Sequence, residues 1–452
     1  MQARPRVAIV GAGPSGFYAA EAVFDLGLDA EVAMIDRLPS PYGLVRSGVA
    51  PDHPNLKKPI ETYDGIARMP GFRYFGNVEA GRDVSIDELL ATHHAVVLCY
   101  GASRDAPLGI RGEELPGSHA ATEFVGWYNG HPDYTDCRFD LAQESVAIVG
   151  HGNVALDVAR ILLHGVDALR KTDIAEHALD ALAASRVREI RIIGRRGPAQ
   201  AKFTPRELEE IGTLPAADLR VSPADLVLNS SSREEAGARS AVNVKKNLAI
   251  FARYALAGGG GAVACYFNFL ESPVELCGDG KVERLRLAKN RLDGPPQGQR
   301  AVPAGPTRDL DCGLVFRAAG YRAQALPGAP FDSARGVVHS AAGRVMRDGA
   351  AVAGLYAAGW VKRGPSGLIG TNRGCSVETV DSLGADIAAL VAGAPRTGAD
   401  GLAGMLASRG VTWVDYPGWQ RVDAEEVRAG LEGGRPRRKF TRIDAMLRAA
   451  RA

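Results

Sequence analysis

Two glycine-rich turns constrain this chain more than any other feature of its sequence. Each turn follows a short apolar run and precedes a stretch with helical periodicity. Glycine lets the backbone turn tightly and approach a pyrophosphate, and the N-terminus of the following helix favours the negative charge. Two such turns in one chain predict two bound nucleotides, and therefore electron transfer from one cofactor to another. The turns are Gly11-x-Gly13-x-x-Gly16 (the first turn) and Gly150-x-Gly152-x-x-Ala155 (the second turn).

The first turn lies in a complete strand–helix–strand unit. Residues 6–10 are predicted to form a buried parallel strand, 14–26 a helix, and 30–36 a second strand that ends in Asp36. Asp36 falls 20 residues past Gly16, which is the spacing at which a carboxylate reaches the hydroxyl groups of a ribose. We therefore expect the first turn and Asp36 to hold the adenosine half of FAD.

The second turn lacks the corresponding acid. Alanine at its third position is tolerated where helix and strand pack. The strand that should supply an acid, residues 189–194, is followed instead by Arg195 and Arg196. Two guanidinium groups suit a 2′-phosphate, which a carboxylate would repel. The second nucleotide is therefore predicted to be NADP(H), while two solvated arginines at a strand end remain the alternative.

Further apolar strands indicate how the two sites are arranged along the chain. Residues 312–320 and 355–360 end in glycine signatures that usually complete a nucleotide site begun at the N-terminus. We predict an α/β fold with two Rossmann-like dinucleotide-binding domains. The FAD domain is discontinuous, with residues 1–104 and 321–452, and the NADP domain, residues 105–320, is inserted into it. Within the insertion, residues 263–292 are expected to form antiparallel strands.

Composition excludes several other classes of protein. A net charge of +2 gives no overall attraction to nucleic acid or membrane, so we expect neither as a partner. The six cysteines form no C-x-x-C pair and have no metal-ligand spacing, so a redox dithiol, an iron–sulfur cluster and a metal site are not expected. No apolar run reaches transmembrane length, and the first strand begins too early for a targeting peptide. We expect a cytoplasmic protein.

Five longer motifs resemble the adrenodoxin-reductase type of ferredoxin–NADP(+) reductase, including its actinobacterial members. They are residues 41–54, 124–129, 152–160, 194–198 and 362–372. The resemblance implies an FAD-dependent oxidoreductase that passes electrons from NADPH through the flavin to a ferredoxin-type iron–sulfur protein. Hydride transfer to FAD would be followed by two one-electron steps. Two alternatives stay open: a flavin-dependent NADPH oxidoreductase acting on another acceptor, and a non-catalytic redox-sensing flavoprotein.

The resemblance also implies which residues contact each cofactor. The implied FAD contacts are Ser15, Asp36, Leu44, Ala80, Trp360, Gly367, Leu368 and Ile369, and the implied NADP contacts are His151, Gly152, Asn153, Val154, Arg195, Arg196, Glu207 and Gly367. Two positions depart from the family pattern. Asp36 stands where members often carry glutamate, and Ala106 stands where a relative has arginine. The shorter acid keeps its chemistry with a different reach, and one cofactor contact is missing if Ala106 occupies that position.

Three residues are candidates for a role in catalysis. His53, in the proline-rich loop, is either structural or placed beside the flavin or at the docking face. Asp157 follows the second turn and would either bond to His53 or a water, or be a solvated helix carboxylate. Glu207 either closes a capping box begun by Thr204 or approaches the nicotinamide. Hydride transfer from a stacked nicotinamide needs no acid or base in principle, so few indispensable side chains are expected.

Two further features have a structural and a functional interpretation. Trp360 takes the position that is aspartate in many two-dinucleotide flavoproteins, and its indole would either cover the flavin edge or pack in the core. Lys245 and Lys246, with Arg239 nearby, form a short basic cluster. Such a cluster would either dock an acidic ferredoxin or be ordinary solvated surface.

Overall fold

Residues 4–257 and 259–452 are described by a computed structural model and divide into two units. The first unit comprises residues 4–104 and 321–452, and the second comprises residues 105–257 and 259–320. Residues 1–3 and 258, which the predicted domains include, lie outside the described residues. Among the described residues, no helix is both long and apolar enough to cross a membrane.

The segment up to residue 105 alternates strands and helices. This order is predicted by its short apolar runs, which are typical of buried strands, and by the helical spacing of apolar residues between them. Its strands are β1 (Arg6–Val10), β2 (Glu31–Asp36), β3 (Phe72–Gly76), β4 (Ala95–Leu98) and β5 (Arg104–Asp105), and its helices are α1 (Pro14–Asp25), α2 (Leu44–Ser47), α3 (Pro59–Ala67) and α4 (Ile86–Thr92). The predicted elements 6–10, 14–26 and 30–36 correspond to β1, α1 and β2 within one residue at each end.

The segment that follows forms the second unit. Its strands are β6 (Ser118–Ala120), β7 (Ser145–Val149), β8 (Glu189–Gly194), β9 (Ala217–Val221), β10 (Val263–Phe269), β11 (Glu271–Cys277), β12 (Arg284–Asp293), β13 (Arg300–Asp311) and β14 (Leu314–Arg317). Its helices are α5 (Ala121–Tyr128), α6 (Asn153–Leu163), α7 (Val166–Leu169), α8 (Glu176–Ala183), α9 (Pro205–Glu210), α10 (Ser230–Gly237) and α11 (Val242–Leu256).

The last segment returns to the first unit. Its strands are β15 (Tyr321–Arg322), β16 (Phe331–Asp332), β17 (Val337–Val338), β18 (Ser340–Ala341), β19 (Arg344–Arg347) and β20 (Ala350–Ala357), and its helices are α12 (Trp360–Arg363), α13 (Thr371–Val391), α14 (Gly398–Ser408), α15 (Tyr416–Glu432) and α16 (Ile443–Arg451). Short 3-10 helices lie at Pro54–Lys57, Pro132–Tyr134, Pro198–Gln200, Ile211–Thr213 and Pro223–Leu226.

The sheet of the first unit has the strand order β18-β19-β20-β4-β1-β2-β3. The strands from β20 to β3 are parallel, and β1 lies in the middle of them. Val7 and Ile9 of β1 pack on one face, with Phe17 of α1, while Ala8 and Val10 pack on the other. Burial on both faces explains why residues 7–10 of β1 form a continuous apolar run with no alternation.

The second unit contains a parallel sheet with the order β6-β14-β7-β8-β10-β9 and a separate antiparallel sheet, β11-β12-β13. The expectation that residues 263–292 are antiparallel is wrong for β10, which pairs in parallel with β8 and β9. The alternating pattern of a strand identifies its buried face, and it does not identify the direction of its neighbour. The antiparallel sheet covers one face of the parallel sheet, where Val149 packs with Leu285 and Leu287 of β12.

Candidate functional sites

In each unit the carboxyl ends of the parallel strands meet at one edge of the sheet, which is where ligands bind in open α/β folds. In the first unit this edge carries the first turn, directly after β1, and Asp36 at the end of β2. In the second unit it carries the second turn, directly after β7, and the two arginines after β8.

Backbone contacts explain two glycines of the first turn. Gly11 has φ +111°, and its N–H donates to the Ile35 carbonyl at 2.8 Å. A Cβ atom on Gly11 would lie 2.6 Å from the carbonyl carbon and oxygen of Cys99. A Cβ atom on Gly16 would lie 2.0 Å from the Gly11 carbonyl oxygen. The start of α1 therefore packs directly on the turn.

A second loop lies backbone to backbone beside the first turn. The Tyr42 N–H donates to the Ala12 carbonyl at 2.7 Å, and Tyr42 itself adopts φ +81°, which is uncommon for a bulky residue. A Cβ atom on Gly43 would lie 3.0 Å from the Gly13 Cα. Leu44, which begins α2, is 39% exposed. The structure thus places Leu44 beside the loop that contacts the first turn, and its contact with FAD stays a prediction.

Asp36 has a structural role that sequence reasoning missed. Its half-buried carboxylate accepts the Ala12 N–H at 2.8 Å and the Leu38 N–H at 2.9 Å, one on each oxygen. Burial raises the pKa of the Asp36 carboxyl, while the two backbone N–H groups lower it. Because each carboxylate oxygen has two lone pairs, Asp36 can fasten the turn and still accept a ribose hydroxyl.

The start of α1 meets the start of α13. The Ser15 hydroxyl donates to the Asn372 side-chain oxygen at 3.1 Å, and the Ser376 hydroxyl donates to the Ser15 carbonyl at 2.9 Å. Gly359, with φ +74°, lies so close that a Cβ atom there would be 1.9 Å from the Ser15 Oγ. Two helix N-termini therefore converge beside the first turn, and their dipoles favour an anion there.

The remaining implied FAD contacts lie in the same unit. The Trp360 ring is 5.6 Å from the Tyr321 ring, and its Nε1–H donates to the Ser366 carbonyl at 3.2 Å. Ala80 packs against the same apolar cluster as Trp360. The segment 367–369 is largely at the surface, where Leu368 is 66% exposed. His53 precedes the 3-10 helix Pro54–Lys57 and is half-buried.

The second turn has the same close backbone approach at its first glycine as the first turn, and it differs at its third position, which is alanine. A Cβ atom on Gly150, where φ is +145°, would lie 2.3 Å from the Ala318 carbonyl oxygen. Apart from its chain neighbours, no atom of residues 4–257 and 259–452 lies within 4 Å of a Cβ atom built on Gly152. Ala155, at the third position, is fully buried, so a methyl group fits between helix and strand here. The open space at Gly152 is the kind of room that a pyrophosphate needs.

The imidazole of His151 packs inside the second unit. Its Nδ1 lies 2.1 Å from the place of a Cβ atom on Gly194, and its ring is 4.8 Å from that of Phe269. Its Nε2 lies 3.2 Å from the Ile192 carbonyl oxygen. Burial lowers the pKa of His151 to about 4, so the ring is neutral at physiological pH. His151 therefore contributes only its backbone to the open side of the second turn, while its side chain packs inside the unit.

Asn153 ties the second turn to the loop before α9. Its side-chain oxygen accepts the Thr204 N–H at 2.9 Å, and its Nδ2 lies 3.4 Å from the Thr204 hydroxyl. Thr204 makes no side-chain capping bond, so the capping box considered for Thr204 and Glu207 does not form. Val154 follows as a half-buried residue of α6.

Glu207 and Asp157 share a cation that sequence reasoning missed. The Arg160 guanidinium, 2% exposed, donates to Glu207 at 2.9 Å and to Asp157 at 2.8 Å. The spacing of Asp157 and Arg160, three residues apart on one helix, was the available signal. Arg160 therefore joins α6 to α9.

Arg195 is exposed and Arg196 is half-buried. Neither guanidinium forms an ion pair with an acidic side chain within residues 4–257 and 259–452. Adjacent strands bring them to the second turn, because the Gly150 N–H donates to the Ile193 carbonyl at 2.8 Å, two residues before Arg195. Two unneutralised cations beside an open glycine turn are the donors that a nucleotide phosphate requires.

Comparisons with known proteins agree with this geometry. Residues 5–191 match the family described as pyridine nucleotide-disulphide oxidoreductase. The chain is 41% identical over 98% of its length to mitochondrial NADPH:adrenodoxin oxidoreductase of Arabidopsis thaliana, covering 95% of that protein. It is 42% identical over 98% of its length to NADPH-ferredoxin reductase FprA of Mycobacterium tuberculosis, covering 98% of that protein.

A solved structure of M. tuberculosis FprA in complex with NADPH superimposes with a TM-score of 0.93 and 41% identity, over 99% of this chain and all of that one. This chain belongs to the adrenodoxin-reductase family. Membership confirms the predicted resemblance, the α/β fold class with two Rossmann-like folds, and an oxidoreductase with FAD and NADP(H) as its cofactors.

In this adrenodoxin-reductase family member, the basic cluster is only partly available to a partner. The Lys245 ammonium donates to the Gly237 and Ala238 carbonyls at 3.3 and 3.1 Å, at the C-terminal end of α10. Cations favour that end of a helix. Lys246 and Arg239 are exposed.

Proposed function

We propose that this chain catalyses electron transfer from NADPH, through bound FAD, to a ferredoxin-type iron–sulfur protein, which is a ferredoxin–NADP(+) reductase activity. The observation that carries the proposal is the presence of two glycine turns in one chain, the second of them open at Gly152 and beside the unneutralised Arg195 and Arg196. FAD supplies the conversion of a two-electron donor into single-electron steps. The iron–sulfur acceptors named for the adrenodoxin and ferredoxin reductases support the class of acceptor.

The proposed FAD site belongs to the first unit. Gly11, Gly13 and Gly16, with Ser15, would hold the pyrophosphate, supported by the converging starts of α1 and α13. Asp36 would accept a ribose hydroxyl while it holds the turn. The flavin half would be contacted by Leu44, Ala80, Trp360, Gly367, Leu368 and Ile369.

The proposed NADP(H) site belongs to the second unit. Gly150, Gly152, Asn153 and Val154 would place backbone against the pyrophosphate, and His151 would support the turn by packing beneath it. Arg195 and Arg196 would bind the 2′-phosphate and so select NADPH over NADH.

The surroundings of the three catalytic candidates, His53, Asp157 and Glu207, support different roles. Glu207 and Asp157 both form ion pairs with the buried Arg160, which links α6 to α9. We assign them to positioning α6 and α9 around the nicotinamide half. His53 remains the candidate for a role beside the flavin or at the docking face.

The proposed docking surface for the acceptor is the exposed Lys246 with Arg239. Complementary charge would attract an acidic iron–sulfur protein and orient it. Lys245 contributes less because its ammonium is engaged with α10. A cytoplasmic location stays a prediction.

Stopped-flow mixing with each coenzyme tests the proposal. NADPH should bleach the flavin absorbance rapidly and NADH far more slowly, and reduced protein should then reduce a ferredoxin in the steady state. Equal rates with the two coenzymes would refute the role of the arginines. A purified protein that is colourless and takes up no FAD would overturn the whole proposal. Ferredoxin reduction no faster than with free flavin would favour the redox-sensing alternative.

A further inference from the structure

We propose that Asn290 is a positioning residue that sets the preference for NADPH, by holding the backbone from which Arg195 and Arg196 project. The proposal rests on the proposed function, in which these arginines bind the 2′-phosphate. Asn290 belongs to β12, in the antiparallel sheet, and lies 95 residues from Arg195 in sequence.

The Asn290 side chain reaches the first arginine directly. Asn290 is 5% exposed, and its Nδ2 donates to the Arg195 carbonyl at 3.0 Å and to the Ser272 hydroxyl at 2.8 Å. An amide nitrogen has two N–H groups, so both are used. Loss of this amide would leave the Arg195 carbonyl without that donor.

The Asn290 backbone reaches the second arginine through one residue. The Asn290 N–H donates to the Leu270 carbonyl at 2.7 Å, and the Leu270 N–H donates to the Arg196 carbonyl at 3.1 Å. Leu270 adopts φ +57°, a left-handed conformation that is unfavourable for a residue with a Cβ atom. The tertiary contacts that maintain this conformation therefore include the ones that hold the arginine backbone.

An irregularity in β12 aims Asn290 at the arginines. The pairing of β12 with β13 shifts register between Ala288 and Asn290. Such shifts redirect a side chain relative to its strand, and they recur beside functional sites. The antiparallel sheet therefore supports the backbone at the carboxyl edge of the parallel sheet, and it also covers one face of that sheet.

The arginines need this support because their own side chains supply little of it. No ion pair to a described acidic residue fixes their guanidinium groups, so the position of these groups depends on the backbone that carries them. Bidentate binding of a phosphate depends on where the Cα atoms of the two arginines lie, because these positions determine where the guanidinium groups can reach. A site whose backbone is already held in place loses less entropy when the ligand binds. NADH lacks the 2′-phosphate, so its binding should not depend on the positions of the two arginines.

Steady-state kinetics of the FAD-loaded protein with both coenzymes test the assignment. Asn290→Ala should raise the KM for NADPH about tenfold, the equivalent of one hydrogen bond, and leave the KM for NADH within twofold. Should the alanine variant not fold, Asn290→Ser is used, since its hydroxyl is too short to reach the Arg195 carbonyl. Asn129→Ala is the matched control, because Asn129 is also buried and donates to a backbone carbonyl, that of Val125, at 3.1 Å.

A variant protein that lacks both arginines shows whether Asn290 acts by positioning them or has a general structural role. In an Arg195→Ala/Arg196→Ala protein, the further change Asn290→Ala should leave the KM for NADPH unchanged. A tenfold rise in that background, or an equal effect on both coenzymes in the native background, would overturn the proposal. A wild-type protein with no preference for NADPH would instead refute the proposed role of the arginines, and the inference with it.

Discussion

Glycine serves different purposes at the third position of the first turn, Gly16, and at the second position of the second turn, Gly152. The Gly11 carbonyl leaves no room for a side chain on Gly16, while a Cβ atom on Gly152 would have no described atom within 4 Å apart from its chain neighbours. The first is a packing requirement within the protein. The second matters only if a ligand occupies the space.

Alanine at these two positions should separate folding from ligand binding. Gly16→Ala should lower the free energy of unfolding by about 1–3 kcal/mol, because the new methyl group overlaps backbone, and the protein should lose FAD. Gly152→Ala should change stability by no more than about 1 kcal/mol and raise the KM for NADPH. Urea unfolding and coenzyme kinetics measure both, and similar losses of stability in the two variants would contradict the distinction.

At the scale of elements, single buried charges connect helices that are distant in sequence. Arg160 joins α6 to α9, and the Arg46 guanidinium, in α2, binds Glu426 of α15 through two hydrogen bonds. Glu426 is fully buried and also accepts from Arg437 at 3.1 Å. Helix α15 therefore braces the segment that follows the Tyr42–Gly43 loop.

Removing one partner of a buried pair should cost more than removing both. Arg160→Met should lower the free energy of unfolding by about 3–5 kcal/mol, because the Glu207 carboxylate is left without its cation. The double variant with Glu207→Met should lose less than the single variant. Equilibrium urea unfolding provides the comparison, and strictly additive losses would show that Arg160 acts through packing alone.

The buried ion pair of Arg46 and Glu426, which joins α2 to α15, should be similarly sensitive to the loss of one partner. Glu426→Ala should destabilise the protein by about 3–5 kcal/mol, since Arg46 would stay buried without a counter-charge. The matched control is Asp444→Ala, which breaks an exposed pair with Arg448 and should cost below about 1 kcal/mol. Comparable losses in thermal unfolding for the two variants would argue against a buried ion pair.

For the whole molecule, buried histidines make stability depend on pH. Burial lowers the pKa of His93, which is fully buried, from 6.5 to about 4, and His119 and His151 are lowered to about 4 as well. The unfolded chain binds these protons more readily than the folded protein does. The histidines therefore favour the folded state above about pH 6.5, and this contribution is lost as the pH falls toward about 4.

The free energy of unfolding should accordingly fall between about pH 6.5 and about pH 4, and His93→Gln should make that slope shallower. The comparison with the variant matters because carboxyl groups whose pKa is raised by burial, such as Asp36, act in the opposite direction. Urea titrations at several pH values supply the slopes. An unchanged slope in the variant would mean that His93 is protonated as easily in the folded state as in the unfolded chain.

Local spacing in the sequence was enough to predict both turns, the strands and helices next to them, and the arginine pair. Each turn and its flanking elements depend on neighbours within about 30 residues, the length of one strand–helix–strand unit, and the arginine pair is read directly at the end of the next strand. The direction of β10 was predicted wrongly because strand direction depends on where the chain returns, and alternation of apolar residues does not record that. The cation shared by Asp157 and Glu207 was missed because Glu207 lies 47 residues beyond Arg160.

The sequence by itself determined that this chain builds two dinucleotide-binding folds, one with an acid and one with two arginines at its strand edge. Only the tertiary structure decided that Asp36 also fastens the first turn, that the His151 ring faces inward and that Asn290 reaches the Arg195 carbonyl. The physical reason is that glycine turns and strand ends follow from local backbone chemistry. Contacts between distant side chains depend on register, and a shift of one residue in a strand would redirect them all.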